Sequence, residues 1–155
     1  MIMLPVKYKT QHGFSLLEVL IALLVLSIGL LGLAALQTIS LKANHSAYTR
    51  TQAIYLAYDI MDRIKANRIQ ALAGDYDLAM NASPPAASAT NLADTDLNEW
   101  ITDFVAVLLP GGDGSVDCTT TTSVCTVVVQ WDESRLGGTA SSGAATAQFS
   151  FSSQI

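Results

Sequence analysis

The sequence predicts an α+β chain: one long N-terminal helix followed by a small head made of a short helix and about three antiparallel strands. Three observations lead there. The 23 residues from Phe14 to Leu36 are overwhelmingly apolar and carry a single charge, Glu18. No proline interrupts the chain between Phe14 and Ile69. Beyond Val116 the pattern changes to β-branched runs and period-two alternation.

The apolar run opens the structured part of the chain. At 1.5 Å per residue it spans the hydrocarbon core of a bilayer, about 30 Å thick. It is too long for the core of a secretory signal peptide, and the following Gln37-Thr38-Ile39-Ser40-Leu41-Lys42 is not a small-residue cleavage site. An uncleaved signal anchor accounts for the hydrophobicity. It leaves unexplained Glu18, an ionisable group inside the span, and Gly13 just before it. Gly29 and Gly32 would permit close helix approach or local bending, although their spacing falls short of the G-x-x-x-G packing motif.

Helical spacing continues past the span. Ile54, Ala57, Tyr58, Met61 and Ile64 recur on one face, Asp59 and Arg63 form an i, i+4 pair on another, and Gly74 supplies a stop. One helix from about 14 to 72 is predicted, about 85–90 Å long at 1.5 Å per residue. Its first half is apolar all round, and its second half is amphipathic and needs a partner to pack on. Tyr48, Tyr55 and Tyr58 are read as core residues in preference to interface anchors.

Residues 81–93, rich in Ala, Ser, Asn and Pro, read as a connecting loop. A compact helix follows, with Leu97, Trp100, Ile101, Phe104 and Leu108 on its inward face and Trp100 as its anchor. Asp96 and Glu99 resemble a capping arrangement, Asp94 is a helix N-terminal charge, and Pro110-Gly111-Gly112 ends the helix. Val116–Cys118 and 124–131 are predicted to pair across a Thr119–Ser123 turn. Residues 135–145 read as a Gly/Ser/Ala loop, and 147–152 as a further strand.

The chain has 155 residues and a formal charge of −5. Without residues 1–13, which hold Lys7 and Lys9, six Lys/Arg face 13 Asp/Glu, a side-chain charge of −7. That balance disfavours nucleic acid as a partner. Cys118 and Cys125 are the two cysteines. If the head is exported, a disulfide is the natural reading, ahead of free thiols. A metal site comes last, because the spacing is C-x6-C and His12 and His45 are distant. No cofactor is indicated. G-x-S-x-G, H-E-x-x-H and P-loop motifs are absent, so no enzymatic activity is expected. Asp113-Gly114-Ser115-Val116-Asp117 lacks a calcium-loop pattern and reads as a solvated turn.

Gly13-Phe14-Ser15-Leu16-Leu17-Glu18 resembles the processing site of type IV pilin-like proteins. The resemblance implies cleavage between Gly13 and Phe14 by a prepilin peptidase on the cytoplasmic side, and N-methylation of Phe14. Glu18, on the same helix face as Phe14, would then pair with its own terminal amine or with a neighbour's. Where many members carry a proline, this chain has Ala35, which argues against a proline-driven melted segment.

The segments Phe14–Gln37, Trp100 to Gly112 and Thr126–Asp132 look like those of PilV-type minor pilins, and the chain is short for that subgroup. The implied organisation is a leader at 1–13, a transmembrane or filament-core helix at 14–36, an amphipathic continuation at 37–73, and a periplasmic head at 74–155 packed with 37–73. The implied role is priming or assembly of a type IV pilus. Its partners would be other minor pilins, the major pilin, the prepilin peptidase and the inner-membrane assembly platform. The protein would be a single-pass inner-membrane protein before it enters the pilus. A minor pseudopilin of a type II secretion system is the near alternative. A membrane-anchored periplasmic binding module is the distant one.

Overall fold

The computed structural model describes residues 13–134 and 146–155. Lys7, Lys9, His12 and the expected loop at 135–145 lie outside the described residues. The order is α1 (Leu16–Ala66), α2 (Arg68–Ala73), α3 (Leu92–Glu99), a π-helical turn (Trp100–Val105), α4 (Ala106–Leu108), β1 (Asp113–Thr119), β2 (Val124–Asp132) and β3 (Thr146–Gln154). The expected α+β class is the one observed: a long N-terminal helix, a three-stranded antiparallel sheet in the order β1-β2-β3, and a short helical segment. Two compact units divide the chain at Leu41/Lys42.

In the first unit every described residue, from Gly13 to Leu41, is exposed. Helix α1 is long and apolar enough in this part to cross a membrane. Gly29 and Gly32 have open space where a Cβ would stand.

In the second unit α1 buries Ala53, Leu56, Ala57, Ile60, Met61 and Ile64. Ala57, Met61 and Ile64 were expected inward. Tyr48, Tyr55 and Tyr58 were also expected in the core, but they are 61%, 65% and 45% exposed, because the buried stripe lies on the other side of the helix. The expected single helix to residue 72 is also interrupted. Asn67 leaves helical geometry (φ −114°, ψ 46°), and its side-chain amide donates to the Tyr76 hydroxyl at 3.2 Å. Helix α2 then ends at Gly74, whose φ of 91° suits glycine. The Gly74 and Asp75 N–H groups close onto the Ala71 and Gln70 carbonyls, which is a Schellman stop.

The helix of the head starts at Asn91, whose side chain accepts the Ala93 N–H at 3.1 Å. Asn91 is therefore the cap, in place of the expected Asp96/Glu99 arrangement, while Asp94 does lie in the first turn. The π-helical turn changes the inward face. Leu97, Trp100 and Ile101 are buried as expected, whereas Phe104 is half-buried and Leu108 is exposed. Val105 and Leu109 take the inner positions, since one residue too many per turn advances the phase by one.

Alternation places Cys125, Val127, Val129 and Trp131 of β2 inward, opposite Gly114, Val116 and Cys118 of β1. The segment expected to be a solvated turn, Asp113–Asp117, is in fact most of β1. Gly114 lies against the Trp100 ring, where a Cβ would collide with it. Leu78 covers the outer side of β1, exchanging two backbone bonds of 2.9 Å with Val116. The core is continuous from α1 through Trp100 to the inner face of the sheet.

Candidate functional site

Gly13, Phe14 and Ser15 precede the first turn of α1 and are not helical. Ser15 begins the helix: its carbonyl accepts the N–H groups of Glu18 (3.1 Å) and Val19 (3.3 Å), and its hydroxyl accepts that of Leu17 (3.3 Å). The Gly13–Phe14 peptide bond is thus outside the helical hydrogen-bond ladder and exposed. Phe14 is 85% exposed.

Glu18 stands in the first turn, where the partial positive charge of a helix N-terminus favours a carboxylate. Phe14, Glu18, Val19, Ala22, Leu23 and Leu26 line one shallow groove along the helix. A cut after Gly13 would create an amine on the residue that shares this groove with Glu18. The surrounding apolar surface has no cover from this chain. Each Leu or Ile removed from water there would gain about 1.5–3 kcal/mol, so a bilayer or a bundle of similar helices is the stable environment.

The head holds the other expected site. Cys118 and Cys125 are directly opposite in the β1–β2 register and are joined as a disulfide, with Cα atoms 4.1 Å apart. Both are buried. The Asp77 carboxylate accepts the Cys118 N–H at 2.8 Å, tying the segment before the loop to the stapled hairpin.

One cluster was not foreseen. Arg63 pairs with Asp59 at 3.2 Å, as the spacing predicted, and also with Asp96 (3.3 Å) and Glu99 (3.0 Å) of α3. The buried Tyr76 hydroxyl donates to the other Asp96 oxygen at 2.6 Å. Burial pulls the Arg63 guanidinium down, but Glu99, Asp59 and Asp96 outweigh it and hold the group above its ordinary value. Burial, and then the Asp96 hydrogen bond, push the Tyr76 hydroxyl up to about 12. The sequence signal for Asp96 was its position three residues after Ala93 and four before Trp100, which puts it on the inward stripe.

Among the described residues no group of three or more His, Cys, Asp or Glu side chains could hold a metal ion. The tempting acidic stretch is engaged locally: Asp113 accepts the backbone N–H groups of Asn81 and Gly114.

Against known families, residues 8–34 match the prokaryotic N-terminal methylation motif. No curated protein and no solved structure matches the chain. The motif is the prepilin signal of type IV pilin-like proteins and supports a protein of that kind, of a pilus or a pseudopilus. It implies processing by a prepilin peptidase and assembly with other pilins, and with the apolar helix it fits membrane anchoring.

Proposed function

We propose that the chain is a minor pilin of a type IV pilus, a structural subunit and not an enzyme, which takes part in priming or assembling the filament. The observation that carries this is the coincidence of the methylation motif with an exposed, non-helical Gly13–Phe14 bond and a carboxylate one turn beyond it. Residues 1–13 form the leader, and the peptidase cuts after Gly13 and methylates Phe14. Residues 14–36 hold the protein in the inner membrane and later in the filament core. The remainder, with 37–73 packed on 74–155, is the periplasmic head.

Removal of the leader gives Phe14 a positive amine, and Glu18 offers it a partner, on its own helix or on a neighbour's. Pairing matters because an unpaired carboxylate in apolar surroundings costs several kcal/mol or becomes protonated. Subunits whose amine and carboxylate meet would therefore be retained in a bundle, while unprocessed chains lack the amine where it is needed. The partners are other minor pilins, the major pilin and the inner-membrane assembly platform. The resemblance of Trp100–Gly112 and Thr126–Asp132 to PilV-type proteins supports the pilus over a pseudopilus.

Mass spectrometry of the mature N-terminus tests the processing: loss of residues 1–13 and one added methyl on Phe14 are expected. An intact N-terminus in cells with active peptidase overturns the reading. A deletion strain tests the system. Lost surface pili support the pilus, and normal piliation with lost protein secretion assigns the chain to a pseudopilus.

A further inference from the structure

The tyrosines of α1 that the core does not use form a pattern of their own. Asn44, Tyr48, Thr51, Tyr55 and Tyr58 recur at i, i+4, i+7, i+11 and i+14, the seam spacing of paired helices, and all are exposed. Asp62 and Lys65 occupy the next two seam positions, exposed and with no ion-pair partner among the described residues. The buried stripe from Thr49 to Ile64 is on the other side, so the seam is not part of the head's core. Tyr58 is braced from the side by Phe151, at 4.6 Å between ring centroids in an edge-on contact.

We propose that this seam binds a second copy of the chain, parallel and displaced by half a heptad, about 5 Å along the helix. The order of side chains selects that displacement. In register, Asn44 would pair with Asn44, but tyrosine would meet tyrosine in three layers, and Asp62 and Lys65 would each oppose their own charge. Moved by one seam step, Asn44 faces Tyr48, Tyr48 faces Thr51 and Thr51 faces Tyr55. Each of these contacts sets a tyrosine against a smaller side chain that can accept its hydroxyl proton. Tyr55 then meets Tyr58 as one aromatic pair. Beyond it Tyr58 meets Asp62, a phenol donor opposite a carboxylate, and Asp62 meets Lys65.

A lipid surface does not fit as the occupant. Helices that lie on a bilayer bury a face of large apolar side chains, whereas Asn44, Thr51, Asp62 and Lys65 interrupt the three tyrosines here. The parallel sense rests on the pilin-like reading, which puts every Phe14 end in one membrane. The displaced contact is heterologous: one copy contributes the seam from Asn44 to Asp62 and the other the seam from Tyr48 to Lys65.

The test uses two differently tagged full-length copies in the same membranes, one carrying Thr51→Cys and the other Tyr55→Cys, with the mature N-terminus read by mass spectrometry from the same sample. Oxidation should give a doubly tagged disulfide dimer several-fold more abundant than from Thr51→Cys with Thr51→Cys or Tyr55→Cys with Tyr55→Cys. Adding Asp62→Lys should lower the yield by up to about fivefold, as for one exposed ion pair, and Asp62→Lys with Lys65→Asp should restore it. Tyr48→Ser in both copies, at an exposed residue outside the head's core, should lower the dimer several-fold while leaving the Cys118–Cys125 disulfide and thermal unfolding unchanged.

Equal yields from matched positions, or adducts only with another chain, overturn the displaced pair. No dimer from correctly processed protein overturns the seam and leaves the pilin reading intact. A dimer from unprocessed protein overturns the pilin reading and keeps the seam.

Discussion

The Tyr76 hydroxyl donates a 2.6 Å hydrogen bond to the Asp96 carboxylate, linking the turn after α2 to the middle of α3. Arg63 of α1 holds the other oxygen of the same carboxylate, so three segments distant in sequence meet on one buried acid. Tyr76→Phe keeps the ring and removes the donor. A bond to a charged group contributes about 1.5–3 kcal/mol, and a loss of that size is expected in chemical denaturation of the full chain. Unchanged stability would show that Arg63 alone satisfies Asp96.

The same pair sets an alkaline limit. The Tyr76 hydroxyl is raised from 10.0 to about 12 in the folded protein, so its neutral form is favoured by folding. That stabilisation is fully present below the ordinary tyrosine value and is lost as pH rises through the folded one. Stability should therefore fall between about pH 10 and 12. Tyr76→Phe should flatten that part of the curve, and tyrosinate absorbance should show one group ionising near pH 12.

Gly114 is a test of packing. A methyl group there meets the Trp100 ring, which is itself held by an indole N–H bond of 2.9 Å to the Leu56 carbonyl. Neither ring nor strand can yield freely, so Gly114→Ala should destabilise the head by about 1–3 kcal/mol, the usual cost of overpacking. Near-ultraviolet circular dichroism should register a displaced tryptophan. An unchanged spectrum and midpoint would contradict the close approach.

Replacing Cys118 and Cys125 together by Ala removes a short crosslink. The chain-entropy estimate for such a loop is about 2–3 kcal/mol. Because both residues are buried, the disulfide should resist reductant in the folded protein and yield only on unfolding. Thiol labelling as a function of denaturant distinguishes this from an accessible bond.

Glu18→Gln addresses assembly. It removes the charge but preserves shape and leaves the Gly13–Phe14 bond untouched. Leader removal should continue, while incorporation into sheared filaments should fall strongly. Normal incorporation would mean that the amine finds another partner.

Much of this was legible in the residues themselves. The order Gly13, Phe14 and Glu18 before an apolar run is a local pattern, and local patterns survive folding. The Cys118–Cys125 hairpin was legible for the same reason, since a five-residue connection between two β-branched runs allows few pairings. The stop at Gly74 and the end at Pro110–Gly112 likewise depend on backbone preferences that need no tertiary partner.

Other features required the fold. Leu108 was assigned inward because a regular helix was assumed, and a π-helical turn put Val105 and Leu109 there, with Phe104 packed at the edge of the core. Asp96 looked like a cap until Arg63 and Tyr76 arrived from elsewhere in the chain. The clearest case is Tyr48, Tyr55 and Tyr58. Hydrophobicity alone predicts that such residues are covered, but only the docking of the head decides which side of α1 it covers. By itself the sequence determined the membrane-length helix, the candidate processing signal and the stapled hairpin, because each is written in neighbouring residues. The tertiary structure decided the phase of the helices, the buried acid and the exposure of Tyr48, Tyr55 and Tyr58, because each depends on which surfaces compete for the same core.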